Sequence, residues 1–361
     1  MDQGRCGDRI RRFFGSGAMS RFFSMPALCC AALLLLIVGL SGCNGSSRSP
    51  QTVTVYVSED QVFSEPILEA FEQQTGIHVR AVYDTEEAKS TGVMNRLFAE
   101  RHNPQADVYW ANEPIRAEWL RQKGIAAVYR SPNARDIPAS FRDPEGFWTG
   151  FSARARVLLV RKGLDVTPDS ILAYTDPRWK GRAVIANPLF GTTTAQVAAL
   201  FARWGGEKAR AFMNRLKQNQ VAVSTSNGES ADFVAAGRYD FALVDSDDAV
   251  SRLRRGESVT MIYPDQQAGG LGVFIVPNVT VLIDGAPHPE AGKKLIDYLL
   301  SRQTERRLAF ADCAQIPLHP GVEIPPELTP IERLRVMPVD YAAVARTMER
   351  IQPWLKAWAG L

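Results

Sequence analysis

The chain has 361 residues, 45% hydrophobic and 22% charged, with 42 Lys and Arg against 39 Asp and Glu. Residues 1–42 have the layout of an export signal and hold five of the basic and two of the acidic side chains, leaving 37 against 37. A neutral remainder excludes an electrostatic case for nucleic acid or an anionic membrane surface, and five cysteines, only one of them beyond Cys43, exclude an internal disulfide framework.

Arg5, Arg9, Arg11, Arg12 and Arg21 form a basic leader, and Ala27 to Leu40 is an apolar run too short for a comfortable membrane span. Leu40-Ser41-Gly42-Cys43 follows and resembles the bacterial lipobox, which implies cleavage before Cys43 and a lipid on its thiol. Asn44 to Gln51 then reads as a tether.

Val53 to Ser58 predicts a strand, and Glu65 to Gln74 a helix with Ser64 as N-cap, Pro66 in its first turn and Gly76 as its stop. Ile77 to Tyr83 predicts a strand, Val93 to Arg101 a helix, Ala106 to Trp110 a strand, and Ile115 to Lys123 a helix ending at Gly124. This alternation argues for an α/β fold with a largely parallel sheet.

After a turn-rich stretch from Ser131 to Gly150, Val157 to Arg161, Arg182 to Asn187 and Tyr239 to Val244 read as strands. Thr194 to Trp204, Glu207 to Gln218 and Ala231 to Ala236 read as helices. Gly272 to Pro277 and Thr280 to Ile283 look like two further strands, followed by helices over Pro289 to Ser301 and Asp340 to Trp358. Cys313 is expected to be a buried small apolar residue.

Several segments, in order, resemble the extracellular solute-binding family that includes bacterial ferric-ion-binding proteins of the transferrin-like periplasmic type. They are Val55-Tyr56, Ala70-Phe71-Glu72 through Thr75-Gly76-Ile77, Asn103-Pro104-Gln105-Ala106-Asp107-Val108, Arg154-Ala155-Arg156-Val157, Asp176-Pro177-Arg178-Trp179-Lys180-Gly181 and Asp297-Tyr298-Leu299-Leu300. The resemblance implies a two-lobed periplasmic-binding-protein fold (type II-like) with hinge-crossing strands. It places lobe 1 at 53–150 plus 270–320, lobe 2 at 151–269, and a C-terminal helical segment at 321–361 on a lobe. It also implies an extracytoplasmic, membrane-anchored lipoprotein, attached through Cys43, that delivers a small-molecule or metal ligand to an ABC importer permease.

In the ferric binders a histidine, a carboxylate and two adjacent tyrosines hold the iron. The matching positions here are Asp60, Glu113, Asp247 and Asp248, so the tyrosine pair is replaced by carboxylates. Phenolates suit Fe(III), whereas an all-carboxylate set could hold Fe(III), a divalent cation or an organic ammonium group. No cofactor is expected beyond such a metal as cargo. Ser246 stands beside the two aspartates, and the bland reading of Val244 to Asp248 is a solvated turn leading into a helix.

On the other wall, Thr193 follows Gly191, and Asn227 sits in the hydroxyl-rich Ser224 to Ser230. Two helix starts with these side chains form candidate anion sites, and each hydroxyl alone is as readily an ordinary N-cap. Arg154 and Arg156 match the family's arginine pair, where a guanidinium could fork onto an anion. Carboxylates on one wall and anion sites on another suit a ligand carrying both signs, such as an aminoalkylphosphonate or a metal with its anion. A phosphonate, a sugar phosphate or another organic anion is the alternative cargo. Trp110 and Trp148 are either an aromatic face or core. No nucleophile elbow, H-E-x-x-H helix or Walker loop is present, so an enzyme is not expected; a protein-binding lipoprotein is the other rival.

Overall fold

The computed structural model describes residues 51–84 and 92–360, so the leader, Cys43 and the tether up to residue 50 lie outside the described residues. Among the described residues no helix is long and apolar enough to cross a membrane.

The first half of the chain builds β1 (Thr52–Val57), α1 (Gln61–Thr75), β2 (His78–Tyr83), α2 (Gly92–Ala99), β3 (Val108–Ala111), α3 (Pro114–Gln122) and the short β4 (Ala126–Ala127). β1 packs against α8 (Pro289–Leu299); its Thr52-Val53-Thr54-Val55 start alternates half-buried with buried residues, and residues 55–57 are buried without alternation. α1 starts at Gln61, three residues before the predicted Ser64 cap. Ser64 is inside the helix, and its Oγ donates back to Asp60 O at 3.0 Å. Gly76 closes α1 in the left-handed conformation, φ +67°, which glycine adopts without a Cβ penalty.

The second half contains β6 (Ala183–Ala186), α4 (Gly191–Trp204), α5 (Gly206–Gln218), β7 (Ala222–Ser224), α6 (Asn227–Ala235), β8 (Phe241–Asp245), α7 (Ser246–Arg254) and β9 (Val259–Ile262). Two longer strands, β5 (Thr149–Arg161) and β10 (Ile275–Ile283), join the halves into one sheet of order β2-β1-β3-β10-β5-β8-β6-β7, with β4 on β10 and β9 on β5.

Pairings of β1 with β2 and β3, and of β6 with β7 and β8, are parallel, as the alternation of strand and helix requires. The joining strands are antiparallel to each other and to β3 and β8, so the sheet is mixed and not largely parallel. A chain that crosses from one half to the other and returns must run both ways. The two predicted strands flanking residues 278 and 279 are one strand, with a register shift between Pro277 and Asn278. Pro277 has no N–H for the ladder, and a bulge absorbs it.

β5 begins eight residues before its predicted start, inside the stretch read as turns. Gly150 permits that path, since a Cβ there would lie 2.8 Å from Phe141 O. Two residues on, Ser152 takes φ +36°, and its N–H is held by Glu305 Oε1 at 2.9 Å. Glu305 lies in α9 (Arg302–Phe310) and is fully buried.

The last helix, α10 (Tyr341–Ala359), packs on α3 in one half and α4 in the other. Tyr341 donates to Ile275 O at 2.8 Å and meets Trp148 edge-on, while Trp354 lies tilted against Phe201 and Trp358 Nε1 donates to Met213 O. Cys313 is buried, its Sγ directed at Leu308 O.

His319 Nδ1 lies 2.7 Å from Glu305 Oε2, and its Nε2 lies 2.8 Å from Asn133 O. Burial, with a smaller push from Arg302, would lower its pKa, but the Glu305 carboxylate and the Asn133 carbonyl outweigh both and raise it. The folded state therefore holds its proton more tightly than the unfolded chain, whose value is about 6.5. Stability from this pair is fully present below that pH and is lost as pH rises through the raised folded value. Urea unfolding between pH 6 and 9 should show this decline, and His319→Gln should flatten it; an equal slope in both proteins would remove His319 as its source.

Candidate functional site

The charged and hydroxyl side chains singled out in the sequence gather where strands end and helices begin. β1 leads to Ser58-Glu59-Asp60 and β3 to Asn112-Glu113. On the other half β6 leads to α4, β7 to α6 and β8 to α7, so three helix N-termini lie at the C-terminal ends of these strands. β5 passes between the halves and contributes Arg154 and Arg156.

Arg156 is fully buried. Its Nη1 donates to Thr192 Oγ1 (3.0 Å) and Asp245 Oδ1 (2.8 Å), and its Nη2 to Thr193 Oγ1 (3.1 Å) and Leu243 O (3.2 Å). Thr192 Oγ1 in turn donates to Asp245 Oδ2 at 2.7 Å, and Asn227 Nδ2 donates to both Thr192 Oγ1 and Asp245 Oδ2. Thr193 Oγ1 approaches Asn227 Oδ1 at 3.4 Å. This layer is largely satisfied from within. Thr193 and Asn227, expected on an anion, are here engaged with Arg156 and Asp245. α4 starts at Gly191 with Phe190 as N-cap, so Thr193 lies in the first turn and is not a cap; Ser226 does cap α6, accepting from Glu229 N at 3.1 Å.

A second layer surrounds Arg154. Nη2 donates to Asn112 O at 2.6 Å and lies 4.0 Å from Glu59 Oε2, while Nε is buried without a hydrogen-bond partner. Burial alone would lower the Arg154 pKa, but the carboxylates of Glu59, Asp247, Asp245 and Asp60 outweigh it and raise it. Burial pushes Glu59 up to about 7, against the pull of Arg154. Burial likewise holds Asp247 and Asp248 above the ordinary carboxylate range, Asp248 further raised by its neighbour Asp247. Glu113 is also raised by burial, although Arg116 sits 3.2 Å away and Ile115 N donates to it as the cap of α3.

Ser246 is buried, and its Oγ accepts from Ala155 N at 3.1 Å, fixing the start of α7 to the crossing strand. Asp247 and Asp248 lie in the first turn of that helix, so the segment is helical and not only a turn before a helix. Oxygens of Asp245, Asp247 and Asp248 lie within 4.8 Å of one another. Asp60 is exposed at the start of α1. Trp110 and Trp148 are core: Trp110 Nε1 donates to Asn278 Oδ1 (3.2 Å) and Trp148 Nε1 to Glu118 Oε1 (2.8 Å), and neither ring is available as an aromatic face.

Glu59 was not legible as a site residue, and neither was Asp245 as the anchor of Arg156. The available signal was position, a carboxylate at the C-terminal end of a buried parallel strand, where open α/β sheets place their ligands.

A sheet in two halves crossed twice by long strands, with charged side chains and helix starts assembled at the crossing, defines a two-lobed binding protein. The chain belongs to the family described as bacterial extracellular solute-binding protein, which matches residues 53–309; it is a binding protein and not an enzyme. It is 27% identical over 311 residues to Iron uptake protein A1 of Synechocystis sp., spanning 78% of this chain and 84% of that one. It is equally identical over 320 residues to a putative 2-aminoethylphosphonate-binding periplasmic protein of Salmonella typhimurium, spanning 86% and 88%. Iron-bound HitA from Pseudomonas aeruginosa shares the fold, with a TM-score of 0.73 at 23% identity over 85% of this chain and 99% of that one.

Proposed function

We propose that this chain is the lipid-anchored solute-capturing component of an ABC-type importer, held to the membrane through Cys43, and that its cargo presents a positive centre to a wall of carboxylates. The observation that carries this is the convergence of Glu59, Glu113 and Asp247 from both lobes on the hinge strand at Arg154, with Asp248 beside Asp247. Buried and half-buried carboxylates held above their ordinary range are costly in the empty protein, and a cationic partner relieves that cost. Ligand contacts made from both lobes favour the closed form, which the permease then recognises.

A metal ion with its accompanying anion is one such cargo, with Asp60, Glu113, Asp247 and Asp248 as its ligand set. Asp247 and Asp248 at the tyrosine positions favour a second reading, an organic phosphonate or related solute whose ammonium meets the same carboxylates.

Thermal unfolding across ferric citrate, divalent cations, phosphonates, sugar phosphates and polyamines tests this, since saturation raises stability by RT ln(1 + [L]/Kd). A shift with one class and not the others is expected. No shift with any solute, together with co-purification of a membrane protein, would replace solute capture with a protein-binding role.

A further inference from the structure

We infer that Glu59 and Arg154 form one recognition pair for a small organic zwitterion, the carboxylate taking its ammonium group and the guanidinium its oxyanion. The inference rests on the solute-capturing reading above and narrows its cargo. Glu59 is 5% exposed; its Oε1 accepts from Gln315 Nε2 at 3.2 Å, and its Oε2 is buried with no hydrogen-bond partner among the described residues. Arg154 spends Nη2 on Asn112 O, and its Nε–H is buried and equally without a partner.

The two groups stand 4.0 Å apart, too far for a hydrogen bond. Buried polar atoms are nearly always satisfied, and the unmet acceptor on Glu59 and the unmet donor on the neighbouring guanidinium can both be met by a third group that carries a donor and an acceptor. Asp247, from the other lobe, acts electrostatically on both Glu59 and Arg154.

Charge decides the class. A bare cation at Glu59 meets the guanidinium next to it, and a bare anion at Arg154 meets Glu59 and Asp247. A molecule carrying N–H donors a few atoms from an oxyanion opposes neither. Neither Glu59 nor Arg154 belongs to the four-carboxylate metal set, although Asp60 and Asp247 of that set act electrostatically on both.

The test uses the full chain, expressed from its complete reading frame and purified as the host processes it, with calorimetric titration of matched probes. The pairs are 2-aminoethylphosphonate with ethylphosphonate, and β-alanine with propionate. On the wild type one zwitterion should bind about 100-fold more tightly than its amine-free partner. Glu59→Gln keeps the side-chain shape and a bond to Gln315, and should abolish that preference by weakening the zwitterion, while the amine-free probe, relieved of the Glu59 charge, binds at least as tightly as to the wild type.

Equal affinity for the two members of each pair on the wild type, or an unaltered preference in Glu59→Gln, overturns the inference. The wild-type comparison does not depend on how the variant folds. Binding of ferric citrate with neither zwitterion also overturns it while leaving solute capture standing, whereas no binding of any solute removes both.

Discussion

Replacing Asp247 and Asp248 together by asparagine should weaken ligand binding at least about 100-fold while leaving the empty protein as stable as before, within about 1 kcal/mol. Both residues occupy the first turn of α7, where a carboxylate ordinarily gains from the helix dipole. Here burial and mutual repulsion hold them above their normal range, with Arg154 near one and Arg252 near the other as partial compensation. Asparagine retains an oxygen in place of Asp247 Oδ1, which accepts from the Asp248 N–H at 3.0 Å, so the helix start keeps its local bond. The small dipole loss is offset by removing two poorly solvated charges.

Affinity should suffer because truncating one side of a desolvated charge pair typically costs about 2–5 kcal/mol. Calorimetric titration with the solute that stabilises the wild type, alongside urea unfolding, separates the outcomes. Unchanged affinity would place the ligand elsewhere in the cleft. A parallel loss of stability would make the pair structural.

How much of this site could be read from the chain depends on which atoms were local. Gly76 after a periodic apolar helix, Ser226 before α6 and Asp340 before α10 are short-range signals, and each is a helix boundary in the structure. Thr193 and Ser64 carry the same residue types but lie inside their helices, because Phe190 and Asp60 start the turns earlier. A hydroxyl favours a cap, and the backbone decides whether it is one.

Long-range partners were invisible. Arg156 lies 89 positions from Asp245 and 36 from Thr192, yet these bonds fix what the hydroxyls do. Crossing strands raise a related difficulty. β5 is buried nearly throughout and shows no alternation, and its first part lies among turn-forming residues, so only its last five residues carried a strand pattern. The return strand β10 reads as two pieces because Pro277 and Asn278 interrupt the propensity while cross-strand pairing maintains the strand. The lobes' separate parallel ladders were legible from helix and strand alternation; the antiparallel centre that joins them was not, since it depends on where a distant return strand docks.

The largest loss of stability should come from Glu305→Ala, a residue without any sequence signature. Its carboxylate is fully buried and accepts from Ser152 N (2.9 Å), Leu318 N (2.8 Å) and His319 N (2.9 Å). Alanine would leave those three N–H groups and the His319 ring without their acceptor, in a site too enclosed for bulk water to replace it. Breaking such a buried network costs about 3–5 kcal/mol, a fall of roughly 5–15 °C in Tm for a chain of this size.

The damage should also reach the ligand. Ser152 holds φ +36°, a conformation that a serine keeps only under constraint, and Arg154 lies two residues along the same strand. Releasing Ser152 N lets the hinge strand relax and moves Arg154 relative to Glu59 and Asn112. Glu305→Ala, assayed well below its own Tm, should therefore bind solute more weakly than wild type. Glu305→Gln should fall between the two proteins, because its single oxygen serves one side of the site and its amide opposes the donors on the other. A stability loss below about 1 kcal/mol in the alanine variant would mean that water or a neighbouring acceptor takes over the three donors. Full stability loss with unchanged affinity would show instead that the hinge geometry around Arg154 is set from the β10 side.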